Sequence, residues 1–434
     1  MRSPNQPPLA ETGTAMGSGR RPAPPRLRVL SMTRIGAAPS RTRRPRRPGY
    51  AGAGAVFAIG MAGTTLPTPL YGLYQQELGF SDLTVTLVFA AYAVGVIFTL
   101  LVAGGYSDVT GRRPVLLYAL GLGALSAVCF LLVGGLPLLF AGRVLSGFSA
   151  GLLSGVGTVA VLELAPPEQK ARAGLVATAA NMGGLGCGPL LAGILAEYAP
   201  APLVLPFVTH LVLLAVAAAV VLALPETVGD ARRWAPLRPQ GLSVPASVRG
   251  VFVPCALAAF AGFALLGLFT SLAPSFLAET LGVHNHAVVG LVVFSVFLGS
   301  TLGQWLVGHI PVARALPLGC LILVAGLLLV AASLWTESLA LLVAGALGGG
   351  LGQGVAFRAG LSAVGDAAPP AHRGATISSF FVVAYTGISL PVVGVGALTL
   401  WLGLVGAGLT FSACAIVVTG ATGLYLLRHR PPAS

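Results

Sequence analysis

Charged residues inside an apolar chain are the side chains of this sequence that could do chemistry. Arg143 lies in the middle of a long apolar stretch, and Asp108, Arg112 and Arg113 lie between two such stretches. An arginine at the centre of a membrane helix costs at least ~2.5 kcal/mol, so Arg143 should face the interior of a bundle and pair with another group. Asp108 and Arg112 would be partly desolvated and also require partners, and Glu163 is within reach of Arg112.

No set of residues in the sequence indicates bond-breaking chemistry. The six histidines are scattered, and His284 and His286 have no cysteine nearby. No Ser/His/Asp set, phosphate-binding loop or metal-ligand spacing appears. The five cysteines fall in five different predicted spans and cannot form a disulfide framework. The sequence therefore predicts a protein that is not an enzyme and has no cofactor or metal; a membrane-embedded enzyme and a non-transporting sensor are the minor alternatives.

The composition predicts which elements must position these charges. Of the 434 residues, 56% are apolar and 9% are charged, and the mean hydropathy is +0.89. A soluble protein with so little charge could not cover its surface, so most of the chain should face lipid or other helices. Eleven of the 25 basic residues fall within the first 47 positions, so the net charge of +13 indicates basic ends of a membrane protein. It does not indicate a nucleic-acid partner.

Apolar stretches long enough to cross a bilayer, roughly 20 residues, recur twelve times. They lie near 51–74, 83–104, 114–134, 138–161, 174–196, 203–224, 251–276, 287–308, 315–334, 339–359, 374–396 and 400–427. The predicted fold class is an all-α membrane protein with twelve transmembrane helices in two pseudo-symmetric lobes of six.

Two lobes are predicted because the second half of the sequence repeats the first half, at an offset of 203 residues. Glu163, Pro166, Pro167 and Lys170 recur as Asp366, Pro369, Pro370 and Arg373, and Gly142, Gly147 and Gly151 recur as Gly345, Gly350 and Gly354. A parallel duplication inside a polytopic membrane protein is typical of a secondary transporter.

Lysine and arginine positions predict how the chain is oriented and divided. With the N-terminus in the cytoplasm, the six external connections hold acids but no Lys or Arg. The predicted segments are a basic, disordered cytoplasmic tail (1–49), a first lobe (50–224), a cytoplasmic linker (225–250), a second lobe (251–427) and a cytoplasmic C-terminus (428–434). The tail could bind anionic lipid, or it could be dispensable sequence upstream of a later start. The expected location is the cell membrane, where the chain crosses the bilayer many times.

The loop after the second span carries the most specific motif. Gly104-Gly105-Tyr106-Ser107-Asp108-Val109-Thr110-Gly111-Arg112-Arg113-Pro114 resembles the G-x-x-x-D-(R/K)-x-G-(R/K)-(R/K) signature of the major facilitator superfamily, with Val109 in place of a basic residue. Gly104 would allow two helices to approach closely, and Gly111 would allow a tight turn. The resemblance implies that Asp108, Arg112, Arg113 and Glu163 latch the lobes when the cytoplasmic side is closed, with Asp108 facing the start of span eleven near Arg373 to Thr376.

Two further patterns resemble the same superfamily. Arg143 with Gly147 in span four is similar to its fourth-helix arginine, which implies a role in coupling or substrate binding, although a purely structural arginine remains open. Gly184, Gly188, Pro189 and Gly193 in span five resemble the end of the antiporter motif of drug-exporting branches; generic helix packing is the alternative.

The remaining site candidates are polar residues that could line a cavity. They are Asn181, Gln304, Tyr92, Tyr385 and His210. No Asp or Glu lies deep in any predicted span, whereas proton antiporters of this family commonly carry such a carboxylate, so a proton would have to use another group. We expect a monomeric secondary transporter of a small molecule, exporting drug-like or moderately apolar compounds, with protons as a candidate coupling ion. The alternative is an uptake permease for an organic acid or a sugar.

Overall fold

The computed structural model describes residues 49–229 and 241–428, which belong to one compact unit, and it is almost entirely α-helical in those ranges. The helices are α1 (Tyr50–Leu78), α2 (Asp82–Ala103), α3 (Arg112–Leu131), α4 (Leu136–Glu163), α5 (Pro167–Tyr198), α6 (Leu205–Ala223), α7 (Ala246–Ser271), α8 (His286–His309), α9 (Arg314–Thr336), α10 (Leu339–Ala367) and a final run, Arg373–Arg428. Short helices Tyr106–Thr110 and Ala273–Glu279 follow α2 and α7.

The final helical run is two helices. Its 56 residues would extend ~84 Å as one straight helix, far beyond the ~30 Å hydrocarbon core of a bilayer. Gly403 breaks the run with φ 67° and ψ 175°, a conformation that glycine adopts without a Cβ clash. It divides the run into α11 (373–402) and α12 (404–428), and the twelve helices predicted from the sequence are confirmed within the described residues.

Helix α1 is interrupted where the sequence has two prolines. An α-helix runs from Tyr50 to Thr65, a 3₁₀ turn covers Thr68–Leu70, and Tyr71–Leu78 completes the crossing. Pro67 and Pro69 have no backbone N–H, so they cannot continue the hydrogen-bond ladder of the helix. The interruption frees backbone carbonyls in the middle of the membrane segment.

Helix α5 is irregular for a related reason. A π-helical turn spans Ala179–Gly183, and Pro189 lies inside the following α-helix. Because Pro189 lacks an N–H, the carbonyl of Leu185 one turn earlier loses its usual donor. The hydroxyl of Thr65 in α1 replaces that donor, at 2.5 Å from the Leu185 oxygen.

Helix packing produces the two lobes. In the first, α4 packs on α1, α2 and α3, and α1 also packs on α5 and α6; in the second, α10 packs on α7, α8 and α9. The main helix pairs that join the lobes are α5 with α8 and α2 with α11. The fold thus places α2 against both α4 of its own lobe and α11 of the second lobe, and α1 against α4.

The two ends of the helical bundle differ in charge. We call the end that carries Glu77, Asp82, Glu197, Glu279 and Glu337 the acidic end, and the end that carries Arg112, Arg113, Glu163, Arg249 and Arg373 the basic end. The predicted tail up to residue 48, the linker residues 230–240 and the C-terminal residues 429–434 lie outside the described residues. The predicted domain limits stay predictions.

Candidate functional site

Arg143 in α4 is the centre of the candidate site. Its side chain is buried, with 1% of the residue exposed. Its Nη1 donates a hydrogen bond to the backbone carbonyl of Thr64, at 2.5 Å. Its guanidinium carbon lies 5.2 Å from the ring centre of Phe89 and 4.8 Å from that of Tyr92, two rings of α2. Aromatic faces attract cations, so these contacts offset part of the desolvation of the charge.

The interrupted helix explains why Arg143 can be buried here. Thr64 lies immediately before the break at Pro67, where the α1 ladder ends. A carbonyl freed by such a break can accept a hydrogen bond from a cation that is otherwise costly to bury. Arg143 uses one of its five N–H donors in this way, while its Nε and Nη2 atoms have no protein acceptor among the described residues.

Two predicted tyrosines meet this site from different lobes. Tyr92 of α2 and Tyr385 of α11 are both buried, and their side chains are close enough to interact electrostatically. The Tyr385 ring also packs edge-on against Phe263 of α7, with 5.6 Å between the ring centres. The structure therefore brings Arg143, Tyr92 and Tyr385 together where the first lobe meets the second.

The other predicted site residues lie elsewhere. His210 of α6 is buried against Gly63 of α1, and neither ring nitrogen has a protein partner among the described residues. Asn181 is half-buried in the π-helical turn of α5. Gln304 of α8 donates to Ser300, 3.4 Å away, within the second lobe.

A second-lobe polar group was missed by the sequence interpretation. Gln353 of α10 is 1% exposed, and its Oε1 accepts a hydrogen bond of 2.6 Å from Ser300. A glutamine between glycines in an apolar span is the signal that could have found it.

At the basic end, the predicted pair of Arg112 and Glu163 is present. The guanidinium donates to both carboxylate oxygens of Glu163, from Nη2 at 3.0 Å and from Nε at 3.2 Å, which is a bidentate geometry. Its Nη1 also donates to Asp108, at 2.5 Å, and Thr227 donates to Glu163, at 2.6 Å. The motif after α2 is thus fastened to the end of α4 inside one lobe.

The predicted contact between Asp108 and the start of α11 is not made in this conformation. The Asp108 side chain is 65% exposed and is paired with Arg112. Thr376 of α11 donates instead to the carbonyls of Ser243 and His372. The latch between lobes stays a prediction for a conformation in which the basic end is closed.

Glu226, just after α6, holds the start of α3 and was not among the site residues predicted from the sequence. Its carboxylate accepts from the backbone N–H groups of Arg112 (2.8 Å) and Arg113 (3.0 Å), the first residues of α3. A carboxylate is stabilised at a helix N-terminus by the free N–H groups and the helix dipole. Burial of the carboxylate opposes ionisation, but these bonds and two from Thr227 and Val228 outweigh it and hold the pKa of Glu226 below its usual value.

Arg113 makes a second contact between the start of α3 and the end of α6. Its guanidinium donates to the carbonyls of Val221 (3.2 Å) and Leu222 (2.6 Å), in the last turn of α6. A cation is favourable at a helix C-terminus. In the sequence, the acid of Leu224-Pro225-Glu226-Thr227 two residues after a span marks a charged group near a helix end, but it does not identify α3 as the partner.

The antiporter-like motif of α5 is a close-packing surface. A Cβ at Gly184 or Gly188 would clash with backbone atoms of α1, and a Cβ at Gly193 would clash with the backbone of His286 in α8. Glycine permits such close approach of helices in a membrane. The motif therefore packs α5 on α1 within its lobe and on α8 across the lobes.

Side chains join the two lobes at both ends, with two such contacts at the acidic end. Glu197 of α5 accepts from the backbone N–H of His286 (2.9 Å) and lies 3.1 Å from its Nδ1. Ser275, after α7, donates to Asp82 of α2 at 2.8 Å. At the other end, Arg358 of α10 donates to Thr178 of α5 at 2.9 Å.

Comparison with known proteins agrees with this architecture. Residues 53–391 match the family model of the Major Facilitator Superfamily. The putative multidrug resistance protein MdtD of Escherichia coli O1:K1 / APEC is 31% identical over 136 residues, which is 31% of this chain and 29% of that protein. The chain thus aligns with less than a third of the length of the curated relatives that it matches.

Solved structures match over much more of the chain. The human organic anion transporter MFSD10 (TETRAN) has a TM-score of 0.62 and 17% identity, covering 88% of this chain and 100% of that one. A POT family transporter in complex with 5-aminolevulinic acid has a TM-score of 0.69 and 14% identity, covering 88% and 95%. At these identities the likeness shows the fold.

Proposed function

Because the chain belongs to the Major Facilitator Superfamily, we propose that it exports a moderately apolar, drug-like compound across the cell membrane by alternating access. The observation that carries the proposal is the buried Arg143 beside Tyr92 and Tyr385, where the two lobes meet. Secondary transporters with two related bundles bind substrate near the middle of the membrane and rock one bundle against the other.

Export is favoured over uptake by two features. The glycines of the antiporter-like motif pack α5 tightly against both α1 and α8, one of the helix pairs that joins the lobes. The similarity to MdtD, named as a putative multidrug resistance protein, covers part of the chain and points in the same direction. The interior around Arg143 is mostly aromatic and apolar, which suits a drug-like compound better than a sugar.

The conformation fits one stage of that cycle. We assign the basic end to the cytoplasm, because lysine and arginine are retained on that side of a membrane. The acidic end, closed by Glu197 with His286 and by Asp82 with Ser275, then faces outward. The structure would thus represent the inward-facing state, in which Asp108 has not yet reached α11.

Proton coupling would require a carrier other than a buried carboxylate. Among the described residues no aspartate or glutamate is buried, so the interior offers no carboxylate that could carry a proton. The candidates are the buried imidazole of His210 and, at the basic end, the carboxylate of Glu163 that is paired with Arg112. Either residue would have to act as the proton carrier.

The experiment uses inverted membrane vesicles with an imposed proton gradient. Amphipathic cations, neutral compounds and carboxylic acids are added in turn, and the pH of the lumen is followed with a quenched dye. Substrate-triggered proton release that is absent in Arg143→Ala vesicles with equal protein content is the expected result. Silence across a panel that an established exporter handles in parallel would contradict proton-coupled export, and accumulation in intact cells would favour the uptake permease.

A further inference from the structure

Arg143 is a buried cation without an anionic partner. Its Nε and Nη2 atoms, each carrying at least one N–H donor, have no acceptor among the described protein atoms, and no aspartate or glutamate in the described ranges is buried. Removing a charge from water without a partner of opposite charge is unfavourable by several kcal/mol or more. One carbonyl and two aromatic rings compensate only part of that loss.

Neighbouring groups share this excess of donors. The Tyr71 hydroxyl, on the far side of the α1 break and within electrostatic range of Arg143, is also buried without a protein partner. An arginine has no acceptor atom, and a tyrosine hydroxyl can donate as well as accept. The free hydrogen-bonding capacity of this region is therefore suited to an acceptor that carries negative charge.

We propose that the transported compound is an amphipathic organic anion, whose carboxylate or equivalent acidic group binds Arg143 through Nε and Nη2. This inference rests on the proposed function and adds the substrate class. The two orphaned nitrogens belong to one edge of a planar guanidinium, which matches the two oxygens of a carboxylate. The Phe89 and Tyr92 rings flank the same charge, so the bound molecule presents an apolar body to them.

A small inorganic anion would satisfy the same donors, so the source of the negative charge has to be separated in the test. A chloride ion supplies the charge without an apolar body. Water molecules would supply acceptors without charge. The three occupants differ in how binding depends on the charge and size of a probe.

The test measures thermal stabilisation of the purified full-length protein by probes that share one apolar body. 1-Naphthylacetate is the anion, 1-naphthylacetamide the neutral isostere and 1-naphthylmethylammonium the cation, each titrated at the same ionic strength; sodium chloride is titrated separately. A charge-assisted bond is stronger than a neutral one by about 1.4 kcal/mol or more, so we expect the acetate to bind at least about tenfold more tightly than the amide. The cation should bind most weakly.

Variants assign the preference to Arg143. Arg143→Gln should remove the difference between acetate and amide, whereas Arg143→Lys, which retains a positive charge, should keep a smaller difference. Arg314→Gln, an exposed residue at the start of α9, serves as the matched control and should behave as the unmodified protein. If Arg143→Gln does not fold, the probe series with the unmodified protein and with Arg143→Lys still decides the question.

Contrary outcomes are distinct from failure of the proposed function. Equal binding of acetate and amide, tighter binding of the cation, stabilisation by chloride alone, or no binding of any naphthyl probe would overturn the anionic substrate. Export of cations in the vesicle assay together with such a result would leave the proposed function standing. Charge-selective binding without any flux would retain the anion site and reject the exporter.

Discussion

The two lobes repeat the same packing. In the first, a Cβ at Gly147 of α4 would clash with the Tyr92 carbonyl of α2. In the second, 203 positions later, a Cβ at Gly350 of α10 would clash with the Val296 carbonyl of α8. Gly151 and Gly354 continue both contacts one turn further along, against Thr99 and Ser300. Corresponding glycines thus allow the same close helix contact in each half.

The charges of Arg143 and of the motif after α2 are not repeated. At the same spacing Arg143 corresponds to Ala346 and Arg112 to Ala315, and Asp108 corresponds to Pro311. The described interior of the second lobe has Ser300, Gln304 and Gln353 as its hydrogen-bonded polar network across helices, all uncharged.

The glycine contacts, which are repeated, belong to helix packing, whereas the charges that are not repeated belong to the candidate site and the motif after α2. A duplicated helix bundle needs its close contacts in both copies, because each lobe must move as a rigid body. A binding site at the junction of two lobes needs a charge from one side alone. In the proposed site the first lobe would supply the charge that binds substrate, and the second would supply Tyr385 and an apolar surface.

Replacing Arg143 should have the largest effect on transport. We expect Arg143→Ala to lower flux by about 100-fold or more, because each hydrogen bond to a charged group contributes ~1.5–3 kcal/mol and the substrate would lose two of them. The matched change in the second lobe, Ala346→Ser, should leave flux within about twofold. Flux per protein in proteoliposomes checks both. Equal losses in the two variants would mean that the lobes do not differ in chemistry.

Glycine substitutions should instead affect the two lobes alike. Gly147→Ala and Gly350→Ala each place a methyl group against a backbone carbonyl, and overpacking of this kind costs about 1–3 kcal/mol. Thermal unfolding in detergent should show similar decreases in Tm for both. Gly155→Ala, in the same helix as Gly147 but with open space at its Cβ, is the control and should be neutral. A large decrease for one of the pair alone would contradict equivalent packing.

Much of this comparison was predictable from the sequence, because it depends on local pattern. Apolar length predicted the twelve helices, the 203-residue spacing predicted the matching glycines, and the position of Arg143 predicted its burial. The pair of Arg112 and Glu163 followed from two charges at neighbouring span ends.

The rest depends on contacts between distant segments. Glu226 binds α3 across more than a hundred residues of sequence, and nothing local in Leu224-Pro225-Glu226-Thr227 indicates that partner. Thr65 donates to the carbonyl that Pro189 leaves free, which requires knowing that α1 and α5 touch at that level. The partner of Asp108 depends on the conformation, and a sequence does not specify which state is seen.

Neutralising Glu163 sharpens the comparison at the basic end. Glu163→Gln removes one charge of the bidentate pair with Arg112, and we expect a destabilisation of about 1 kcal/mol, since Glu163 is partly exposed. Its counterpart Asp366 is exposed and bonded at 3.4 Å to Ser362, so Asp366→Asn should be neutral. Tm values at low and high salt provide the measurement; the difference between the two variants should shrink at high salt. Equal effects at all salt concentrations would contradict the assignment.

The helix cap formed by Glu226 should contribute a pH-dependent stability. Glu226→Gln should lower the free energy of unfolding by about 1 kcal/mol at neutral pH, because the charge at the start of α3 is lost. The folded pKa of Glu226 lies below the usual value of 4.5, so its contribution is present above that value and is lost as the pH falls through the lower folded pKa. The Tm difference from the unmodified protein should therefore be constant from pH 7 to pH 5 and narrow below. A Tm difference that widens as the pH falls below about 5 would contradict the assignment of Glu226 as a helix cap.

Replacing Thr65 should have the smallest effect of these variants. Its comparison is Thr270 of α7, whose hydroxyl donates within its own helix and not to a neighbouring one. Thr65 donates across to α5, where Pro189 has left the Leu185 carbonyl without its helical donor; Thr270 of α7 donates to Leu266 and Gly267 of its own helix. Thr65→Val should cost about 1 kcal/mol, because it leaves a buried carbonyl unpaired. Thr270→Val should cost less than ~0.5 kcal/mol, since the helix already satisfies the backbone that Thr270 contacts. Tm values of the two isosteric variants compare the sites directly, and a larger loss for Thr270→Val would show that the break in α1 is not held by α5.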